Sequence, residues 1–150
     1  MQQNDDIVSL WLAAKRMTAL LEHHAETELR SRLGLSLSTY ALLSTLQAAN
    51  ATVNQQEVAR FLGLAKSSVS RQIEAAAAAG LVVVTPSALS RRENTVVLTE
   101  AGARLATEAD DIVCAIGPGA AAAEIAAASV ALQRVLDTMG APEQTASPTA

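Results

Sequence analysis

Two short basic stretches carry the chemistry this sequence offers: Lys66-Ser67-Ser68-Val69-Ser70-Arg71 and Arg91-Arg92. A guanidinium presents a fork of N–H donors that matches guanine O6/N7 or a phosphate. An ammonium supplies a point charge, and serine hydroxyls can donate or accept beside them. This is chemistry for recognising a polyanion, and it breaks no bond. No catalytic set stands beside it, for the sequence has no Gly-rich phosphate loop, no nucleophile elbow and no paired-histidine zinc motif. The chain therefore reads as a binding protein rather than an enzyme, with no cofactor expected.

Two other groups invite a chemical reading. Glu22, His23 and His24 suggest a metal, but adjacent helical residues point about 100° apart and no Cys or further His completes a ligand set. Surface or pocket-lining histidines fit better, and no metal site is expected. Cys114 is the single cysteine, so an internal disulfide is excluded and a reducing, cytoplasmic setting fits. It follows Asp110-Asp111 in an apolar stretch without a cation to lower its pKa, so inert packing is expected rather than oxidation sensing.

The basic stretches need elements to aim them. Lys66 to Arg71 opens a helix expected over about 65–79. At about 100° per residue, Val69, Ile73, Ala76 and Ala77 gather on one side. Ser67, Ser68 and Arg71 fall opposite, with Glu74 and Ala75 beside them and Lys66 and Ser70 on the flank. Small side chains on the exposed face let the backbone approach a groove floor. Just before it, Asn54 opens a helix with Glu57 three residues on, a capping box with Asn in place of Ser or Thr. In that helix Val58, Phe61 and Leu62 are expected to face inward, and Gly63 ends it. After Gly80, the β-branched runs Leu81-Val82-Val83-Val84-Thr85 and Thr95-Val96-Val97-Leu98 read as paired strands. The loop between them, 86–93, is too long for a two-residue turn and should project with Arg91-Arg92 near its tip.

Helix, turn, helix and a basic-tipped hairpin suit docking on duplex DNA, one helix in the major groove and the ribbon reaching the backbone or minor groove. Blander readings exist for each residue. Arg71 can pair with Glu74 at i, i+3, an exposed ion pair of little value. Ser67, Ser68 and Ser70 can be plain helix-start residues, and Arg91-Arg92 an ordinary solvated pair. Their joint placement favours DNA. Arg60 is expected in solvent or on a phosphate.

The remaining elements are helical. Asn4 can cap a first helix with Asp5 and Asp6 in its first turn; Ile7, Leu10, Trp11, Ala14, Met17 and Leu21 form its stripe, and Gly34 stops it after about Arg32. Ser36 or Ser38 caps a second helix carrying Tyr40, Leu42, Leu43 and Leu46. Thr99 caps a later one that uses Leu105, Ile112 and Ile116, until Gly117-Pro118-Gly119 interrupts it. A last helix, about 120–139, carries Ile125, Leu132, Leu136 and Met139, and the Pro/Ser/Thr/Ala-rich tail 140–150 is expected to be disordered.

At 150 residues the chain suffices for one domain, and with only Trp11, Tyr40 and Phe61 aromatic its core must be aliphatic. The net charge of −4 hides an uneven distribution: 57–104 carries +2, leaving −6 elsewhere. Phosphate neutralisation is local, so an acidic body can bear a basic face. The acidic start has no basic-then-apolar signal pattern. The alanine-rich stretch 115–132 contains Gly117-Pro118-Gly119 and Glu124, so it is expected as two soluble helices rather than a membrane span. The sequon Asn50-Ala51-Thr52 is read as chance.

With these pieces in order, about 5–139 resembles the MarR family of bacterial transcription regulators. The resemblance rests on Leu42-Leu43, Glu57-Val58-Ala59, Leu62-Gly63-Leu64, Ser67-Ser68-Val69-Ser70-Arg71, Ala79-Gly80-Leu81-Val82, Arg91-Arg92 and Leu98-Thr99-Glu100-Ala101-Gly102. It implies a mainly α fold with a small β-hairpin wing: a winged helix-turn-helix with N- and C-terminal dimerisation helices, in an obligate homodimer. The implied parts are a dimerisation helix at 1–34, the DNA-binding region at 35–102, further dimerisation helices at 103–139 and the tail at 140–150. The implied function is sequence-specific binding of a pseudo-palindromic double-stranded operator, two recognition helices entering successive major grooves about 34–36 Å apart. Repression relieved by a small-molecule effector is the implied outcome. DNA contacts fall to Lys66, Ser67, Ser68, Ser70, Arg71, Arg91 and Arg92, and effector contacts to Trp11, His24 and Tyr40, although core packing explains Trp11 and Tyr40 equally well. The alternative is a winged-helix protein-interaction module without a DNA target. The chain departs from the family's pattern in having Ser90 where Asp usually precedes the wing arginines, and Ala65 where Ser or Thr usually caps the recognition helix.

Overall fold

The computed structural model describes residues 2–50, 52–87, 94–117 and 122–140. In chain order its elements are α1 (Gln2–Leu33), α2 (Leu37–Ala49), β1 (Val53–Asn54), α3 (Gln55–Leu62), α4 (Lys66–Ala78), β2 (Val82–Pro86), β3 (Asn94–Leu98), α5 (Glu100–Cys114) and α6 (Ala122–Gly140). The fold is mainly helical with one small antiparallel sheet, ordered β1-β3-β2.

Three helix starts, those of α2, α3 and α5, are set by side chains that satisfy the first free N–H groups. Ser36 caps α2, its Oγ accepting from the Thr39 amide at 3.2 Å. Asn54 and Glu57 form the reciprocal box on α3: the Glu57 amide donates to Asn54 Oδ1 at 2.8 Å and the Asn54 amide to Glu57 Oε2 at 3.0 Å. Thr99 caps α5 through the Gly102 amide at 3.0 Å. Helix α1 departs from expectation, because it begins at Gln2 and runs through Asn4. Its first-turn N–H groups can be solvated without a side-chain cap. It ends as expected at Gly34, whose φ of 64° lets the Leu35 amide turn back to the Leu29 carbonyl at 3.3 Å.

In the sheet, Val84 pairs with Val96 and Val82 with Leu98, while Val53 of β1 flanks Val96 on its other side. Strand β1 was not among the expected elements. Two residues are too few to show a period, and Val53 is strand-like only because it is buried against β3. The main core joins Leu42, Leu43 and Leu46 of α2 to Val58 of α3, Val69, Ile73 and Ala76 of α4, Val82, Val96 and Ala106 of α5. A second cluster joins Ala25 and Leu29 of α1 to Leu35 and to Ala109 of α5, and Leu105 packs against both. Burying each leucine of this kind contributes roughly 2 kcal/mol.

Polar ties run alongside. The Tyr40 hydroxyl donates to Asp110 Oδ1 at 2.8 Å, joining α2 to α5. The Leu37 amide donates to Glu26 Oε2 at 2.7 Å, joining α2 to α1, while Glu26 also pairs with Arg30. That amide first, and Arg30 second, hold the Glu26 carboxyl below its ordinary range.

Two expected core positions are not in the core. Phe61 is 65% exposed. The inward side of α3 is set by Val58 and Leu62, and Phe61 lies well off that line, beneath the Arg60 guanidinium at 5.6 Å from its ring centroid. Cys114 is exposed at the last turn of α5 rather than packed, because the buried positions of that helix are Gly102, Ala106 and Ala109.

The start of α5 approaches the base of the wing closely. A Cβ on Gly102 would lie 2.0 Å from the Leu81 carbonyl oxygen. The same carbonyl accepts from the Thr99 amide at 3.0 Å and from Thr99 Oγ1 at 3.1 Å, and Oγ1 also reaches the Gly80 carbonyl at 2.8 Å.

Residues 1–116 form one compact unit and 117–150 a second. In the second, α6 is described; it bears Ile125, Val130, Leu132, Leu136 and Met139 as exposed apolar side chains. The tail expected to be disordered lies, beyond Gly140, outside the described residues. Among the described residues no helix is long and apolar enough to cross a membrane.

Candidate nucleic-acid interface

Helix α4 is built to show one face. Val69, Ile73 and Ala76 are sunk in the main core, while Lys66, Ser67, Ser68, Arg71, Glu74 and Ala75 are exposed and Ser70 is half-buried. The division follows the 3.6-residue period as the sequence spacing predicts. Ala65 supplies no side-chain cap, and no acid lies in the first turn, so the positive end of the helix is uncompensated by its own side chains. After Ala78 the chain reverses at Gly80, whose φ is 73°, and the Leu81 amide bonds back to the Ala76 carbonyl at 2.9 Å. The far end of α4 is thereby tied to the wing.

Arg71 has no ion pair among the described residues. The pairing with Glu74 that the sequence allows is absent. Glu74 Oε1 instead accepts from Ser70 Oγ at 3.2 Å, one turn back along the flank. Lys66 is likewise without an ion pair among the described residues. The helix thus carries two uncommitted cations and two exposed hydroxyls, of Ser67 and Ser68, near its positive end.

The wing strands end at Pro86 and Asn94, where the Thr85 and Thr95 hydroxyls meet at 2.9 Å across the ladder. Arg91 and Arg92 lie outside the described residues. Arg60 is exposed on α3 over Phe61, and Leu64 in the turn before α4 is exposed too. The hydrophobicity of Phe61 hid its surface position; only its angle from Val58 and Leu62 signals it. Glu74 is legible as exposed, yet its engagement with Ser70 rather than Arg71 is not.

The three residues assigned to an effector are spread out. Trp11 is 61% exposed with the Lys15 ammonium 5.9 Å from its ring centroid. His24 is exposed, its Nδ1 bonded to the Leu20 carbonyl at 2.8 Å and its ring set edge-on to His23. Trp11 and His24 sit on one helix about 20 Å apart along the axis. Tyr40 is half-buried against the second cluster, and burial, reinforced by the bond to Asp110, pushes its phenol up to about 12. Among the described residues no group of three His, Cys, Asp or Glu side chains could hold a metal ion.

Comparison with known proteins agrees with this layout. A family model described as MarR family matches residues 33–93, from the end of α1 to the wing loop. The structure is similar to that of a MarR-family transcriptional regulator from Rhodococcus sp. RHA1, with a TM-score of 0.72 and 25% identity over 93% of this chain and 95% of that one. It is also similar to CouR from Rhodococcus jostii RHA1, solved bound to p-coumaroyl-CoA, with a TM-score of 0.73 and 22% identity over 89% of this chain and 93% of that one. A mutant MarR from E. coli complexed with operator DNA matches with a TM-score of 0.68 and 18% identity over 88% of this chain and 96% of that one. The latter two likenesses are of fold alone. No curated protein matches the chain by sequence. The family's own model covers the helix-turn-helix and the first wing strand, and the fold is shared with a MarR-family regulator over most of the chain. This chain therefore has the fold of the MarR-family winged helix-turn-helix transcriptional regulators and resembles that family.

Proposed function

We propose that this chain acts as a homodimer that binds a pseudo-palindromic DNA operator and represses transcription until a small-molecule effector releases it. The observation that carries this is the exposed face of α4, where Ser67, Ser68 and an Arg71 without an ion pair are held outward by Val69, Ile73 and Ala76 in the core. Arg71 is assigned to a guanine edge, Lys66 to a phosphate, and Ser67, Ser68 and Ser70 to phosphate or base edges. Arg91 and Arg92 are assigned to the backbone or minor groove beside them. Ile7, Leu10, Trp11, Met17 and Leu21 of α1 are all exposed, as are the apolar residues of α6. Exposed apolar faces of this kind mark interaction surfaces, and a second copy would cover them. In that scheme 1–34 and 103–139 serve dimerisation and 35–102 reads DNA.

Effector relief is a population shift: a ligand that prefers one separation of the two reading helices draws the dimer away from groove spacing. Trp11, His24 and Tyr40 are its assigned contacts, with Tyr40 on the seam where α2 meets α5. The structure of CouR bound to p-coumaroyl-CoA supports small-molecule binding within the fold, and the E. coli complex supports operator binding within it.

A gel-shift series on the gene's own upstream DNA, at several salt concentrations, tests the assignment. The parent should bind with an affinity that falls steeply with salt. R71A should lose its preference for that DNA over a scrambled duplex, whereas R91A should weaken both and lower the salt slope by about 1. Variants that bind like the parent would overturn these roles. A parent that ignores duplex DNA in dilute salt would favour the alternative, a protein-interaction module using the exposed Phe61 and Leu64.

A further inference from the structure

A carboxylate stands where a reader of DNA should least tolerate one. Glu74 is exposed on the same side of α4 as Ser67 and Arg71, one turn beyond Arg71. Facing a duplex, it meets a polyanion and costs affinity. It is not neutralised by the neighbouring Arg71, because among the described residues neither ion pair nor hydrogen bond joins them. Among the described residues its hydrogen-bond partner is the Ser70 hydroxyl, which donates to Oε1 at 3.2 Å from the flank, and none engages the other oxygen, Oε2. The next turn is alanine throughout, from Ala75 to Ala78, so no bulky side chain there holds the helix away from a groove floor.

The donors that a major groove offers to such an oxygen are the exocyclic amines, cytosine N4 and adenine N6. Of these, the carboxylate suits cytosine, since adenine also presents the N7 acceptor beside its amine and is matched by a side-chain amide instead. Geometry narrows this further. Residues 71 and 74 are separated by about 4.5 Å of helix rise, against about 3.4 Å between base pairs. Both side chains therefore reach one base pair or two adjacent ones. We propose that Glu74, steadied by Ser70, is a specificity-determining residue that accepts a hydrogen bond from a cytosine amine at or next to the guanine read by Arg71, a role that presupposes DNA reading by α4. In this arrangement the acid lowers affinity for all DNA and restores it at one sequence, which sharpens discrimination.

Selection of bound duplexes from a random-sequence library by the full-length parent, E74Q and E74A tests it. The parent should enrich a G·C pair at one position of each half-site, disfavouring other pairs there by about tenfold or more. E74Q should shift that position toward adenine, the partner of a side-chain amide. E74A should flatten it while leaving the other positions intact and binding scrambled DNA somewhat more tightly. A merely structural Glu74 would move stability and leave every base preference in place, so identical preferences in all three proteins overturn the inference while leaving DNA binding by α4 standing. A parent that enriches no sequence at all overturns the DNA reading itself, and the role of Glu74 falls with it.

Discussion

Replacing Gly102 by Ala sets helix propensity against packing, with opposite signs. Gly102 is the third residue of α5, where propensity alone favours Ala by about 1 kcal/mol. The structure gives the added methyl no room: its Cβ would sit 2.0 Å from the Leu81 carbonyl oxygen and 3.0 Å from the carbonyl carbon. Ordinary contact is about 3.5 Å, so α5 and the strand base must part by roughly 1.5 Å. Those obstructing atoms are backbone and cannot swing aside. The Thr99 amide at 3.0 Å and Thr99 Oγ1 at 3.1 Å both bond that same carbonyl, and Oγ1 reaches Gly80 at 2.8 Å. Opening the contact breaks two or three hydrogen bonds at about 1 kcal/mol each. Net of propensity, G102A should be about 1–2 kcal/mol less stable than the parent. Urea unfolding at matched protein concentration measures this, since the stability of the proposed dimer would depend on concentration. An unchanged or higher midpoint would refute the proposed close approach of α5 to the wing base.

Two further outcomes follow from the helix caps and the α2–α5 seam. Asn54→Ala removes one half of the reciprocal box at the start of an eight-residue helix and should cost about 1 kcal/mol, read from the same urea midpoints. Tyr40 is the only tyrosine, so ultraviolet titration of phenolate reads it alone. Its pKa is raised from 10.0 to about 12, so the stability it lends should be full below pH 10 and lost as pH rises toward 12. A native-state titration midpoint near 10 would show that neither burial nor Asp110 protects it.

The parts of this fold that were legible in the sequence are those governed by short-range rules. The inward set of α4 follows from helical spacing, and the Asn54–Glu57 box and the Gly34 and Gly63 stops follow from local hydrogen bonding and backbone freedom. What was illegible depends on contacts distant in the chain. Strand β1 exists because Val53 meets Val96, and Gly102 matters because Leu81 comes to lie against it. Phe61 was misplaced because its apolarity outweighed its angle, and Cys114 because α5 buries small residues instead. In the candidate site, the exposed side of α4 was legible from spacing, but the choice of Ser70 rather than Arg71 as the partner of Glu74 was not. The wing arginines lie outside the described residues, so their assignment rests on their order in the chain.

The most direct test of the central claim is a nuclease footprint of the purified protein on its upstream DNA. Two copies holding a pair of α4 helices outward should protect two symmetry-related blocks whose centres lie about one helical turn, 34–36 Å, apart. A single unsymmetrical block, or no protection in dilute salt, would contradict it.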